Sequence, residues 1–181
     1  MPYFYNSKTL MFKKLKEILF KKQIKKNLKK RDRSQLDGKL RTLAFLVDEN
    51  VFKNFETFND IGKSIGVQPK DIKVFSYITV QKKAPSLHSN QTNNRDFSWR
   101  GQINNINTTE FLKKPFDVLV GYYNGTHPNL DLMVSKSEAR FKVGLGDCDQ
   151  RLFDLILKVS TREISGFKAE FLKYLKILGK T

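Results

Sequence analysis

Apolar and polar positions change their spacing along this chain in a way that marks out its elements. From Thr9 to Lys30, Met11, Phe12, Leu15, Ile18 and Leu19 recur at helical spacing, while Lys13, Lys14, Lys16 and Lys21 lie largely off that stripe, which predicts an amphipathic helix. Ser7 or Thr9 is the expected cap. Beyond Phe20 the stripe thins to Ile24 and Leu28. At 41–49 the pattern becomes a continuous apolar run bounded by charge, as expected of a strand buried on both faces. A helix capped at or near Asn50 and running to about Ile65 follows, with Val51, Phe55, Phe58 and Ile61 on one side and Gly66 and Pro69 ending it. A strand at 71–79 completes a β-α-β unit, whose right-handed crossover makes its strands parallel neighbours.

The second half of the chain is more broken. Residues 81–95 are polar, contain Pro85 and show no period, and so predict a loop; 96–103 alternate weakly, as an edge strand or an ordered excursion. A single helical turn is expected from Thr108 or Thr109 to Leu112. The apolar density of 116–123 predicts the central strand, and 127–139 a helix with Pro128 near its first position. Strands at 140–146 and 151–160 and an amphipathic helix at 161–180, capped at Thr161, complete the set. The expectation is a single three-layer α/β domain: a mostly parallel sheet of five to six strands, helices on both faces, plus a basic N-terminal helix. The division expected is an arm at 1–38 and an α/β domain at 39–181.

Charge sharpens that division. Of 181 residues, 34 are Lys or Arg and 18 are Asp or Glu, a net charge of +16. Residues 1–34 hold twelve Lys or Arg against Glu17 and Asp32, so a fifth of the chain carries most of the excess. Lys13, Lys14, Lys16, Lys21, Lys22, Lys25, Lys26, Lys29, Lys30, Arg31 and Arg33 are the candidate contacts to an anionic surface, with Met11, Phe12, Leu15, Ile18 and Leu19 as the apolar stripe. The stripe must be buried on the protein's own core, on a membrane surface, or on a protein or RNA partner. Lys outnumbers Arg 26 to 8, which favours non-specific attraction over base readout.

Candidate chemistry is sparse. Cys148 is the single cysteine and there are two histidines, so a disulfide framework and a zinc cluster are excluded. The carboxyl ends of parallel strands are where ligands bind, and that rule nominates Asp48, Asn50, Asn124, Thr126 and His127 as a ligand cleft, with Glu49 and Thr79 beside them. The plainer reading makes Asp48 to Asn50 a helix cap and Asn124-Gly125 a turn. Cys148 lies between Asp147 and Asp149, whose charge disfavours a thiolate. Trp99 beside Arg100 could stack on a base or sugar, although an aromatic in a strand is ordinarily core. Neither a dinucleotide fingerprint nor a phosphate loop is present, and neither a cofactor nor a metal is expected.

One resemblance reaches most of the chain. Phe116, Asp117 and Val118 to Val120, followed by Ala139, Phe141, Lys142, Val143 and Gly144, resemble the two phrases of a family of small uncharacterised proteins of the Bacteroidota, a domain of unknown function. The basic N-terminal segment is similar to that family's too. The resemblance implies no catalytic residue. No secretory signal or membrane span is readable, which makes the cytoplasm the expected compartment and the sequons at Asn107 and Asn124 chance matches. The first reading is a non-catalytic cytoplasmic protein docked by its N-terminal helix on the inner membrane face, or on RNA or the ribosome. The alternatives are a small enzyme or ligand-binding domain using the strand edge, and a subunit of a larger protein assembly.

Overall fold

The computed structural model describes residues 3–81 and 88–181, with the side chains of the first helix described from Leu10 onward. Six strands form one parallel sheet: β1 (Leu43–Asp48), β2 (Ile72–Ile78), β3 (Gln91–Asn93), β4 (Val118–Tyr122), β5 (Phe141–Leu145) and β6 (Leu155–Leu157), in the order β3-β2-β1-β4-β5-β6. The chain works outward from β1 to β3, then crosses back to place β4 on the other side of β1 and works outward again. The order of the strands therefore reverses between β1 and β4, as in doubly wound nucleotide-binding sheets.

Alternation along the buried strands divides the core in two. Leu43, Phe45, Val47, Val118, Val120 and Tyr122 face α2 (Glu56–Ser64) and α5 (Ile164–Ile177), where Phe58, Phe167 and Phe171 build an aromatic layer. Its ring centroids are 4.8 Å apart for Phe45 and Phe58, 4.9 Å for Phe58 and Tyr122, and 5.1 Å for Tyr122 and Phe167. Ala44, Leu46, Phe75, Tyr77, Leu119 and Tyr123 face the other way, toward α3 (Ile106–Lys113) and α4 (Pro128–Lys136). Helix α1 (Tyr3–Lys30) packs against α4 and contributes Phe20 and Ile24 to that same core. Every residue of α4 from Asn129 to Ser135 is buried.

Several expectations are corrected. Helix α1 begins at Tyr3, so Ser7 and Thr9 lie inside it rather than at its cap. Asn50 does not cap α2, which starts only at Glu56. The backbone N–H and side-chain amide of Asn50 donate to the Asp48 carboxylate at 2.9 Å each, and this local turn competes with helix initiation. The polar stretch expected as loop contains β3; residues 82–87 of it lie outside the described residues. Gln91, Thr92 and Asn93 are buried although polar, because side-chain partners satisfy them: the Gln91 amide donates to Glu49 at 2.6 Å, and the Thr92 hydroxyl to Asp96 at 2.8 Å. The segment 96–103 is an excursion closed by one antiparallel bridge, Phe97 to Ile103. Helix α3 is eight residues long and capped by Asn105, whose side chain accepts from Thr108 N–H at 3.0 Å. Strand β6 keeps three residues of the ten expected. Thr161 does not cap α5; its hydroxyl donates to Asn124 and its carbonyl accepts from Tyr122 at 2.8 Å.

Candidate functional site

The strand edge nominated by sequence is tied up internally. Asp48 is buried at the end of β1 with Asn50 on its carboxylate, and Asn50 itself is exposed. His127 caps α4: its Nδ1 accepts from Leu130 N–H at 3.2 Å, and its ring meets Tyr77 edge-on at 4.8 Å between centroids. Burial lowers the imidazole pKa, and the nearby Asp48 charge opposes that shift. The Tyr77 hydroxyl in turn accepts from Asn129 at 2.6 Å. The fold thus brings Asp48, Asn50 and His127 to one region beside Tyr77. Asn124 is drawn away to Thr161, and Thr126 is exposed. Among the described residues, no three His, Cys, Asp or Glu groups are placed to hold a metal ion. The turn after β1 reads Asp48-Glu49-Asn50 and lacks the glycines that let a backbone approach a dinucleotide phosphate, so the strand order alone carries no ligand here.

Two buried groups escaped the sequence reading. Tyr123 donates to Asp131 at 2.8 Å, and burial pushes the Asp131 carboxyl up to about 6 and Tyr123 well above its usual value. Cys148 is buried nearby, and its thiol is pushed up to about 11, first by burial. The one sequence signal for this cluster is an acid set between apolar neighbours in Leu130-Asp131-Leu132.

The two phrases that carry the family resemblance serve the fold. One Asp117 carboxylate oxygen accepts from Arg41 N–H and Thr42 N–H at 2.9 Å each and from the Thr42 hydroxyl at 3.0 Å; the other accepts from Arg140 at 2.8 Å. Burial alone would raise the Asp117 pKa, but these donors bring it below the ordinary carboxylate value. Lys142 is fully buried, and its Nζ donates to the Val134 and Ser137 carbonyls at 2.7 and 2.8 Å, closing the C-terminal end of α4. Gly144 admits Phe153: a Cβ there would meet its ring at 2.6 Å. Asp117 staples the start of β1 to β4, and Lys142 staples α4 to β5.

The remaining candidate is helix α1, whose two sides differ. Toward the body it turns Phe20, Gln23, Ile24, Asn27 and Leu28, and Arg31 follows just past its end. Gln23 donates to Asn27, Asn27 donates to the Ser135 hydroxyl at 2.9 Å, and the Arg31 guanidinium grips Asp154 with two bonds and reaches the Arg140 carbonyl. This docked side is not the predicted stripe. At about 100° per residue, the stripe of Met11, Phe12, Leu15, Ile18 and Leu19 is centred roughly 150° away from it. Leu10, Met11, Phe12, Leu15 and Ile18 are 43 to 65% exposed, and Leu19 is half-buried. Further along this outward side come Lys22, Lys25, Lys26 and Lys29. Among the described residues, no lysine from Lys13 to Lys30 makes an ion pair; in the arm only Arg31 does.

The excursion at 96–103 flanks this basic stretch. Gly101 (φ 81°) makes the approach possible, since a Cβ there would come within 3.3 Å of Leu132 and 3.6 Å of Phe20. Trp99, expected as core, is 54% exposed, and the Arg100 guanidinium lies 4.6 Å from its ring centroid. Between the excursion and α1 runs a groove of about 710 Å³, lined by Trp99, Arg100, the four lysines, Leu19 and Gln23, with no carboxylate in its wall.

Fold and helix together define a doubly wound parallel α/β domain bearing a long basic helix with one docked and one free side. The chain belongs to DUF6913, a family of unknown function whose model matches residues 16–178. No curated protein and no solved structure matches the chain. The matched span takes in the docked side of α1 as well as the sheet.

Proposed function

We propose that this protein is a non-catalytic, peripheral membrane protein that docks on an anionic bilayer, at the cytoplasmic face, through the outward side of α1. The observation that carries this reading is the sequence of surfaces along one side of one helix: exposed apolar residues from Met11 to Ile18, followed by lysines from Lys22 to Lys29 that have no ion partners among the described residues. An apolar side chain of this size gains about 1.5–3 kcal/mol on full burial, and a lysine near anionic lipid about 1 kcal/mol. Apolar insertion therefore supplies the larger share and headgroup attraction the smaller. Phosphate attraction alone, as on RNA, leaves the exposed apolar half without a role. A second copy of the chain would set like-charged helices face to face. No helix among the described residues is long and apolar enough to cross a membrane, and the helix is expected to lie in the interface instead.

The test is flotation of the full chain with vesicles of phosphatidylcholine, with and without phosphatidylglycerol, alongside binding to single-stranded and structured RNA. Flotation that requires the anionic lipid and falls with salt supports the reading. Tight RNA binding without flotation, or salt-resistant capture of a protein partner without flotation, overturns it.

A further inference from the structure

We infer that the groove between α1 and the Trp99 excursion is a headgroup site for a lipid phosphate monoester, which gives the docking proposed above a lipid preference. The inference rests on that docking reading and adds selectivity to it. Three features separate this groove from a merely basic surface. Four ammonium groups (Lys22, Lys25, Lys26 and Lys29) and one guanidinium (Arg100) line it, and its wall holds no carboxylate to offset their field at close range. A headgroup with one charge, a phosphodiester, leaves most of that excess unmatched; a terminal phosphate with a second charge and a third free oxygen matches more of it. Second, Arg100 is held over the Trp99 ring, so its planar fork of donors is oriented before a ligand arrives and little side-chain freedom is lost on pairing with two phosphate oxygens. Because Arg100 covers a face of Trp99, the pair suits a compact anion better than a stacked base. Third, the groove opens beside Leu19, where the apolar run of α1 gives way to lysines, so a helix seated in the interface brings the groove to headgroup depth.

The experiment compares vesicles containing phosphatidic acid with vesicles containing phosphatidylglycerol, matched in zeta potential, using the full chain and its Arg100→Lys and Trp99→Ala variants. Arg100→Lys keeps the charge and removes the fork and the stacking, so general docking is retained. The wild type is expected to bind the monoester vesicles about tenfold more tightly, a difference the Arg100→Lys variant reduces to about twofold while its phosphatidylglycerol affinity stays unchanged. Trp99→Ala is expected to shrink the preference in the same way. Equal wild-type affinity for the two vesicles at matched potential overturns the headgroup site and leaves the docking reading standing. A preference that survives Arg100→Lys also overturns it, as general electrostatics then suffices. Failure to bind either vesicle defeats the docking reading itself; a titration with inorganic pyrophosphate then shows whether the groove takes a soluble phosphate, which would replace the lipid as its ligand.

Discussion

The two sides of α1 carry similar residues to opposite ends. On the inner side Arg31 grips Asp154, and just beneath it the buried Lys142 is held by the Val134 and Ser137 carbonyls. The apolar Phe20 and Ile24 there are almost wholly buried. On the outer side the lysines have no ion partners among the described residues, and the apolar side chains stand in solvent. Residue type therefore does not decide whether a lysine or a phenylalanine serves stability or contact. The side of the helix does. An inner side anchored by Phe20, Ile24, Asn27 and Arg31 fixes α1 on the body and leaves its outer side presented as a surface.

That contrast can be broken at several points. The largest effect is expected from Phe20→Ala, which opens a cavity on the docked side and should destabilise by about 3–5 kcal/mol, read from denaturant midpoints; Phe12→Ala should stay within about 0.5 kcal/mol. Equal losses at the two positions would erase the distinction between the sides. Next in size, the triple change Phe12→Asp, Leu15→Asp and Ile18→Asp is expected to weaken flotation on anionic vesicles by about 100-fold or more with unfolding unaltered, since it removes insertion and adds repulsion from the lipid.

A pH effect sharpens the inner side. Burial, with the Arg31 charge acting in the same direction and Asp154 against it, pulls Lys142 down to about 7. The unfolded lysine titrates near its ordinary value, so between the two the unfolded chain binds more protons and stability rises with pH, by up to about 1.4 kcal/mol per unit. Below about 7 both states are protonated and the burial penalty is constant. Above pH 8 the thiol of Cys148 and the hydroxyl of Tyr122, both raised on folding, act oppositely, so the clean window is pH 7 to 8. Urea midpoints for the wild type should climb across that window, whereas those of Lys142→Met should stay flatter; identical slopes would show that Lys142 keeps its proton. The smallest effect belongs to a single outer lysine. Lys25→Gln should weaken vesicle binding about fivefold at low ionic strength and very little in high salt, without touching the unfolding curve.

Much of the fold is legible because burial on both faces writes a plain pattern. β4 is an apolar run throughout, β1 is one up to Asp48 and β5 is one interrupted by Lys142, and each is a fully buried strand. Strand β3 is illegible for the opposite reason: Gln91, Thr92 and Asn93 are buried through hydrogen bonds rather than hydrophobicity, and neither period nor propensity marks such a strand. The start of α2 is illegible because Asp48 and Asn50 satisfy each other locally, which a capping pattern cannot distinguish from a helix start. On α1, periodicity found the apolar stripe and charge found the lysines, but the docked side was passed over. Its polar members Gln23, Asn27 and Arg31 interrupt the apolar spacing of Phe20, Ile24 and Leu28.

By itself the sequence determined the α/β class, the parallel β-α-β start, the concentration of positive charge at one end and the point at which the helix that bears it stops, because all of these follow from local spacing and composition. Only the tertiary structure decided which side of α1 meets α4, that Trp99 and Arg100 come to face the lysines across a groove, and that Asp117 ties the start of β1 to β4. Each of those outcomes depends on groups far apart in the chain meeting in space, and no local pattern encodes partners separated by 75 to 108 residues.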